Sequence, residues 1–115
     1  MGFNSWTAFA TSVNEADLRA TADFFVSSGL AAAGYFFVNS DDGWSLGARD
    51  AVTGRLVPDP QKFPSGMAAL AAYIHSKGLL FGLYTASSSV VCSGRPGSLF
   101  HEGVDAETFV EWGVD

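Results

Sequence analysis

A single cysteine, Cys92, stands among 115 residues, so the chain closes no disulfide within itself. Cationic residues are scarce as well: six Lys and Arg face twelve carboxylates, for a formal net charge of −6. They form no cluster, which excludes nucleic acid and an anionic membrane surface as partners. No apolar run approaches the ~18 residues needed to cross a bilayer. The segment after Met1 lacks a basic flank and a long apolar stretch, so it does not read as a secretory signal. His101 has no second histidine at ligand spacing, and no further Asp/Glu cluster accompanies Asp41 and Asp42. Neither a metal nor a cofactor is expected. Cys92 has no evident histidine to activate it as a nucleophile.

What is present is a core. Hydrophobic residues make up 48% and charged residues 16%, which excludes disorder. A helix–glycine–strand cadence recurs. Asn14 caps a helix running through Ser28, with Leu18, Thr21, Ala22, Phe25 and Val26 on its inward stripe. Gly29 stops it in the left-handed conformation, and the strand Tyr35–Asn39 follows. Ser65 reads as the cap of a second helix with Met67, Leu70, Ala71 and Ile74 inward. Lys77 suits its last turn, Gly78 ends it, and Leu79–Tyr84 is a strand apolar on both faces. A third pass has Asp105 as cap and Phe109 and Trp112 inward, and reaches Gly113-Val114-Asp115 where another strand would open.

The long segments fall on one side of this cadence. Ala48–Pro64 reads as a hairpin or ordered loop, and Ser87–Pro96 as a second polar loop. Long loops after strands with short glycine returns elsewhere are the asymmetry of a (β/α)₈ barrel, which takes roughly 250 residues. The fold class is therefore α/β, an incomplete TIM barrel of about its first three βα units, all in one domain spanning residues 1–115. A flavodoxin-like sheet is the rival, but no glycine-rich phosphate loop follows the first strand.

Asn39-Ser40-Asp41-Asp42-Gly43-Trp44 follows the apolar run Tyr35–Val38, at the strand end where parallel α/β proteins bind ligands. Gly2-Phe3-Asn4-Ser5-Trp6 places a second indole among small polar residues. Carboxylates accept hydrogen bonds from hydroxyls, and an indole face stacks on the C–H face of a sugar ring. Together they describe a carbohydrate pocket. The plainer readings stay open: Asp41 and Asp42 as solvated loop carboxylates or a hard-cation site, and Trp6 as a core aromatic. Trp44 either shapes the pocket or packs beneath its loop, Tyr84 is pocket wall or strand cap, and Trp112 belongs to the core. Asp41 and Asp42 are not an acid/base pair, because neighbours on one strand end do not flank a glycosidic oxygen.

These segments, with Gly54–Asp59, Lys62–Met67, His75–Leu79, Cys92–Ser98 and Phe109–Asp115, resemble in order the N-terminal part of glycoside hydrolase family 27. This is the α-galactosidase (melibiase) family, which includes α-N-acetylgalactosaminidases. The resemblance implies a (β/α)₈ catalytic domain that hydrolyses terminal α-galactosides by a retaining two-carboxylate mechanism. Trp6 would stack on galactose, Asp41 and Asp42 would accept from its outer hydroxyls, and Tyr84 would line the pocket. Cys92 matches a family cysteine that forms a disulfide close to the sugar. Its partner, and both catalytic aspartates, lie in family segments beyond Asp115, so the chain by itself is expected to be inactive and to need the remainder of the barrel. Three departures stand out: Thr11 and Gly43 replace cysteines that the family often joins, Phe3 replaces a tryptophan, and Ala86 replaces an aspartate. An α-N-acetylgalactosaminidase of the same family and a non-catalytic galactose-binding module are the alternative readings.

Overall fold

A computed structural model describes all of residues 1–115. Its sheet has three parallel strands in the order β1 (Gly2–Asn4), β2 (Phe37–Ser40) and β3 (Leu80–Leu83). Phe3 pairs with Val38, and Val38 with Phe81. Helices follow each strand: α1 (Trp6–Phe9) and α2 (Glu15–Ser27) after β1, α3 (Met67–Ser76) after β2, and α4 (Glu102–Trp112) after β3. The repeat is βα throughout, as in the arc of a (β/α)₈ barrel. β1 lies outside the cadence read from the sequence. It is short, and glycine lets it pair closely, since a Cβ on Gly2 would sit 2.5 Å from Phe37 O.

The helices form largely where their periodicity places them, and differ at the ends. Asn14 Oδ1 accepts from Asp17 N at 3.1 Å and caps α2. Leu18, Ala22 and Phe25 are buried, whereas Val26, expected inward, is exposed. α3 is not capped by Ser65: Gly66 holds the cap position at φ +79 with no side-chain hydrogen bond. The Ser65 N–H goes instead to Glu15 Oε2 at 3.0 Å, binding α2 to the start of α3. Met67, Leu70, Ala71 and Ile74 are all buried as the spacing requires. Lys77 stands just past α3, and its ammonium pairs with Asp23 on α2 at 2.7 Å. Nor is Asp105 a cap. α4 starts three residues earlier, after His101, and Asp105 lies buried within its first turn.

The strands are shorter than their apolar runs. Phe36 N and Phe37 N both donate to Met1 O, so β2 starts where β1 can pair with it. Val38 and Phe81 are fully buried in the cluster with Leu18, Leu70 and Ile74. Leu80 is 36% exposed, so the expected burial on both faces is not met here: one face packs on helices and the other is open. The main chain beyond α4 comes alongside β3, where Asp115 N donates to Phe81 O at 3.0 Å. His75 Nε2 and Phe81 N both lie against Asp115 Oδ2, at 2.7 and 3.0 Å.

The two long segments leave the C-terminal ends of β2 and β3. The first is hairpin-like, with Ser45 bridged to Pro58, Leu46 N donating to Val57 O, and a turn closed by Gly54 N on Asp50 O. Its inner residues Trp44, Leu56 and Phe63 join the core. The second is pinched by a Val90–Pro96 bridge. At the two positions where the resemblance implies a cross-link, Gly43 presses directly on Thr11: a Cβ there would meet Thr11 Cα at 2.6 Å. Lys62 Nζ closes the same seam by donating to Thr11 O and Gly43 O, at 2.6 and 3.0 Å.

Candidate functional site

Each strand runs into a polar segment at its C-terminal end: Asn4-Ser5-Trp6 after β1, Asp41-Asp42 after β2, and Tyr84 after β3. Parallel strands lie roughly 4.8 Å apart, so these three segments become neighbours although 35 or more residues separate them in sequence.

Asp41 is held from the β1 side. Its N–H donates to Ser5 Oγ at 2.9 Å, and its Oδ2 accepts from Asn4 Nδ2 at 2.8 Å. Asn4 Oδ1 in turn accepts from Trp6 N at 2.9 Å. Asp41 Oδ1 accepts from Asp42 N at 2.7 Å. Asp42, only 2% exposed, is held from the β3 side: Ser93 N donates to Oδ2 and Ser93 Oγ to Oδ1, both at 2.7 Å. A carboxylate has about four acceptor positions, so both side chains keep capacity for further donors.

Tyr84 borders an open cleft of about 620 Å³ together with Asn4, Asn39 and Ser40. Burial pushes its phenol above the ordinary value of 10.0, and the adjacent Cys92 thiol, then Asp42 and Asp41, push it further the same way. Three of the other residues singled out from the sequence, Cys92, Asp42 and Asp41, thus lie close enough to act on the Tyr84 phenol. Cys92 itself is free and exposed. The fifth, Trp6, opens α1 and is 39% exposed. Of the five, only Tyr84 lines the cleft; Asp41, Asp42, Cys92 and Trp6 lie outside its lining, and Trp6 is joined to Asp41 through its main-chain bond to Asn4.

Trp44, for which two readings were open, packs beneath the loop. It is buried, its indole N–H donates to Tyr84 O at 2.8 Å, and its ring meets Phe109 and Trp112 edge-on near 6 Å. It therefore supports the main chain of Tyr84 from below. Trp112 lies in the same aromatic cluster, only partly buried and packed against the core rather than within it.

Several residues of the site carry no mark that sequence reading singled out. Ser93 adjoins Cys92, and only the fold turns its hydroxyl onto Asp42. Arg49 and Asp105 lie 56 positions apart and form a bidentate pair at 2.6 and 2.7 Å. Arg49 also donates to Gly54 O and Gly97 O, and Ser98 Oγ donates to Asp105 Oδ2 at 2.7 Å. This network fastens the hairpin to the loop that carries Cys92 and Ser93. No group of three or more His, Cys, Asp or Glu side chains is arranged to hold a metal ion.

The family described as α-galactosidase A, the melibiases, matches residues 6–115. The chain belongs to this family. α-Galactosidase 3 of Arabidopsis thaliana is 54% identical over 115 residues, covering all of this chain and 26% of that protein. Among solved structures, α-galactosidase I of Mortierella vinacea superposes with a TM-score of 0.97 at 37% identity, over all of this chain and 29% of the other. An α-galactosidase of Saccharomyces cerevisiae, solved with raffinose, gives 0.96 at 43% identity, over all of this chain and 25% of the other. The chain thus spans between a quarter and three-tenths of the length of these family 27 relatives. Its three βα units are part of the TIM barrel that they share.

Proposed function

We propose that these residues form the galactose-recognising part of a retaining α-galactosidase acting on terminal α-galactosides, and that residues 1–115 are the N-terminal portion of its (β/α)₈ catalytic domain. The observation that carries the reading is the Asp41–Asp42 pair, fixed at the end of β2 by Asn4 and Ser5 on one side and Ser93 on the other. Two carboxylates with preset orientation and spare acceptor capacity suit vicinal sugar hydroxyls, which donate without carrying charge. Tyr84 and Cys92 supply the neighbouring wall, and the part-exposed indole of Trp6 offers a face for the C–H side of the ring. The solved complex of the yeast relative with raffinose, a sugar, supports the same choice of ligand class.

Bond cleavage is assigned elsewhere. Retention requires two carboxyls ~5–5.5 Å apart on opposite sides of the scissile bond. Asp41 and Asp42 are adjacent on one strand end, and each of their four oxygens already accepts one hydrogen bond, Asp41 from Asn4 Nδ2 and Asp42 N, and Asp42 from Ser93 N and Oγ. The family resemblance assigns nucleophile and acid/base to aspartates beyond Asp115. Within that enzyme the present residues hold the anomeric carbon in reach of the nucleophile, a contribution of orientation rather than of chemistry.

The test is an assay of the protein expressed with whatever sequence follows Asp115 in its gene. The expected result is hydrolysis of p-nitrophenyl α-galactoside and of raffinose, and none of the β-anomer. Asp42→Ala should cost far more activity than Thr11→Ala. Absence of hydrolysis, or equal effects of the two substitutions, would overturn the reading.

A further inference from the structure

The Asn4 side chain touches both the Asp41 carboxylate and the main chain of Trp6. Its Nδ2 donates to Asp41 Oδ2 at 2.8 Å, and its Oδ1 accepts from Trp6 N at 2.9 Å. It also borders the 620 Å³ cleft with Tyr84 and Asn39, and it is exposed. An exposed asparagine contributes little to a core, yet here both ends of its amide are committed. The donor end goes to a carboxylate and the acceptor end to the first N–H of α1, which no turn of that helix satisfies.

We infer that Asn4 is a positioning residue for the sugar, setting the orientation of the Asp41 carboxylate relative to the Trp6 indole. The inference rests on the galactose-site reading above. Asp41 accepts from two fixed donors, Asn4 Nδ2 on one oxygen and Asp42 N on the other. Those two bonds set the plane of the carboxylate and hence the direction of its remaining lone pairs. Without Nδ2 the carboxylate is free to turn about its χ2, because that torsion is broad. Without Oδ1 the turn that presents Trp6 loses its anchor. Both losses fall on ground-state recognition, so Asn4 acts through Asp41 and Trp6 and not on the bond that breaks.

The experiment compares Asn4→Ala and Asn4→Asp in the enzyme that carries these residues, with p-nitrophenyl α-galactoside as probe. Asn4→Ala should raise KM about ten- to a hundredfold, the range of one hydrogen bond to a charged group. A kcat within about threefold of wild type is expected, as for lost uniform binding. Asn4→Asp keeps the acceptor for Trp6 N but sets a second carboxylate against Asp41. At neutral pH it should be at least as impaired as Asn4→Ala. Two carboxyls in contact share a proton with a raised pKa, so on acidification the new side chain donates again and KM should recover.

The other titratable groups at this point are Asp41, Asp42, Tyr84 and Cys92. All are present in both variants, so a recovery seen in Asn4→Asp and absent in Asn4→Ala isolates position 4. A structural role alone would lower stability in both variants and show no such pH-dependent difference. A wild-type enzyme active on the α-galactoside whose KM is unmoved by Asn4→Ala overturns the inference and leaves the site reading standing. A KM for Asn4→Asp that stays high down to the acid limit of the wild-type profile also overturns it. A wild type without activity on the α-galactoside removes the site reading itself, and this inference with it.

Discussion

Ser93 grips Asp42 by both carboxylate oxygens, the main-chain N–H on Oδ2 and the hydroxyl on Oδ1. The residues are 51 positions apart, one in the loop after β3 and the other at the end of β2. Asp42 is buried, so water does not substitute for a lost donor without rearrangement. The pair sets both the loop and the carboxylate.

Ser93→Ala keeps the N–H and removes the hydroxyl. It should lower unfolding free energy by about 1.5–3 kcal/mol, the range for a hydrogen bond to a charged group. Urea denaturation checks this, with Ser93→Thr as the retained-hydroxyl control. An alanine variant as stable as wild type would show that the hydroxyl bond contributes nothing.

The Arg49–Asp105 pair should be worth far more when broken than an exposed pair. Its side chains are 11% and 3% exposed, and Asp105→Asn leaves a buried guanidinium without its counter-charge. The expected loss is about 3–5 kcal/mol. Replacing both partners together, with Arg49→Met and Asp105→Leu, should lose less than Asp105→Asn alone. The Arg55–Glu111 pair has the same bidentate form on the surface, where solvent and salt screen it, and Arg55→Gln should leave the midpoint unchanged.

Gly43 and Gly54 both have positive φ, +103° and +72°, but different surroundings. A Cβ at Gly54 meets nothing within 4 Å, so Gly54→Ala should cost about 1 kcal/mol, for the left-handed backbone alone. A Cβ at Gly43 strikes the Thr11 main chain, which has no rotamer to yield. Gly43→Ala should therefore cost about 3 kcal/mol or more, the backbone term with overpacking added. Equal losses in thermal unfolding would mean that the Thr11 seam is open.

Tyr84 reports on the site without any substrate. Its phenol is raised above 10.0 by burial first, then by Cys92, Asp42 and Asp41. Cys92→Ser and Asp42→Asn should each bring the ultraviolet titration of Tyr84 back toward 10.0, the cysteine variant by more. The native state holds this proton more tightly than the unfolded chain. The associated stability is thus full below pH 10.0 and is lost as pH rises from there through the native value.

Glu15 works in the opposite direction. Burial alone would raise its carboxyl, but hydrogen bonds from Ser65 and the bond and charge of Arg19 outweigh it and hold the value below the ordinary 4.5. Its stabilising contribution is present above pH 4.5 and lost as pH falls from there through the lower native value. Glu15→Gln should flatten the acid side of the stability profile in that window. An unchanged acid limb would remove Glu15 from the set of groups that drive acid unfolding.

The expectations drawn from pattern fared differently according to the range of the interaction behind them. Leu18, Ala22, Leu70 and Ile74 are buried as their spacing requires, because helical periodicity is a property of consecutive residues. Caps were less legible. Asn14 caps α2, but Ser65 and Asp105, equally suitable by type, are claimed by Glu15 on another helix and by Arg49 on the hairpin. β1 escaped notice because three residues carry no periodicity, and its strand character comes from pairing with Phe37 and Val38. Asp41, Asp42 and Tyr84 were marked by residue type after an apolar run, and Cys92 by the family resemblance. Asn4 and Ser93, which orient the two aspartates, were not, since an amide or a hydroxyl acquires that role only by what stands opposite it.

Sequence alone determined the βα repeat, the helix faces, the family and the strand end at which carboxylates gather, since all of these are written in local order and residue type. Tertiary structure alone decided that Trp44 lies under Tyr84, that Arg49 finds Asp105, and that Asn4 and Ser93 close on the two aspartates. Those contacts join residues 37 to 56 positions apart. No local preference encodes them; they exist because parallel pairing of the strands brings separate loops to one end of the sheet.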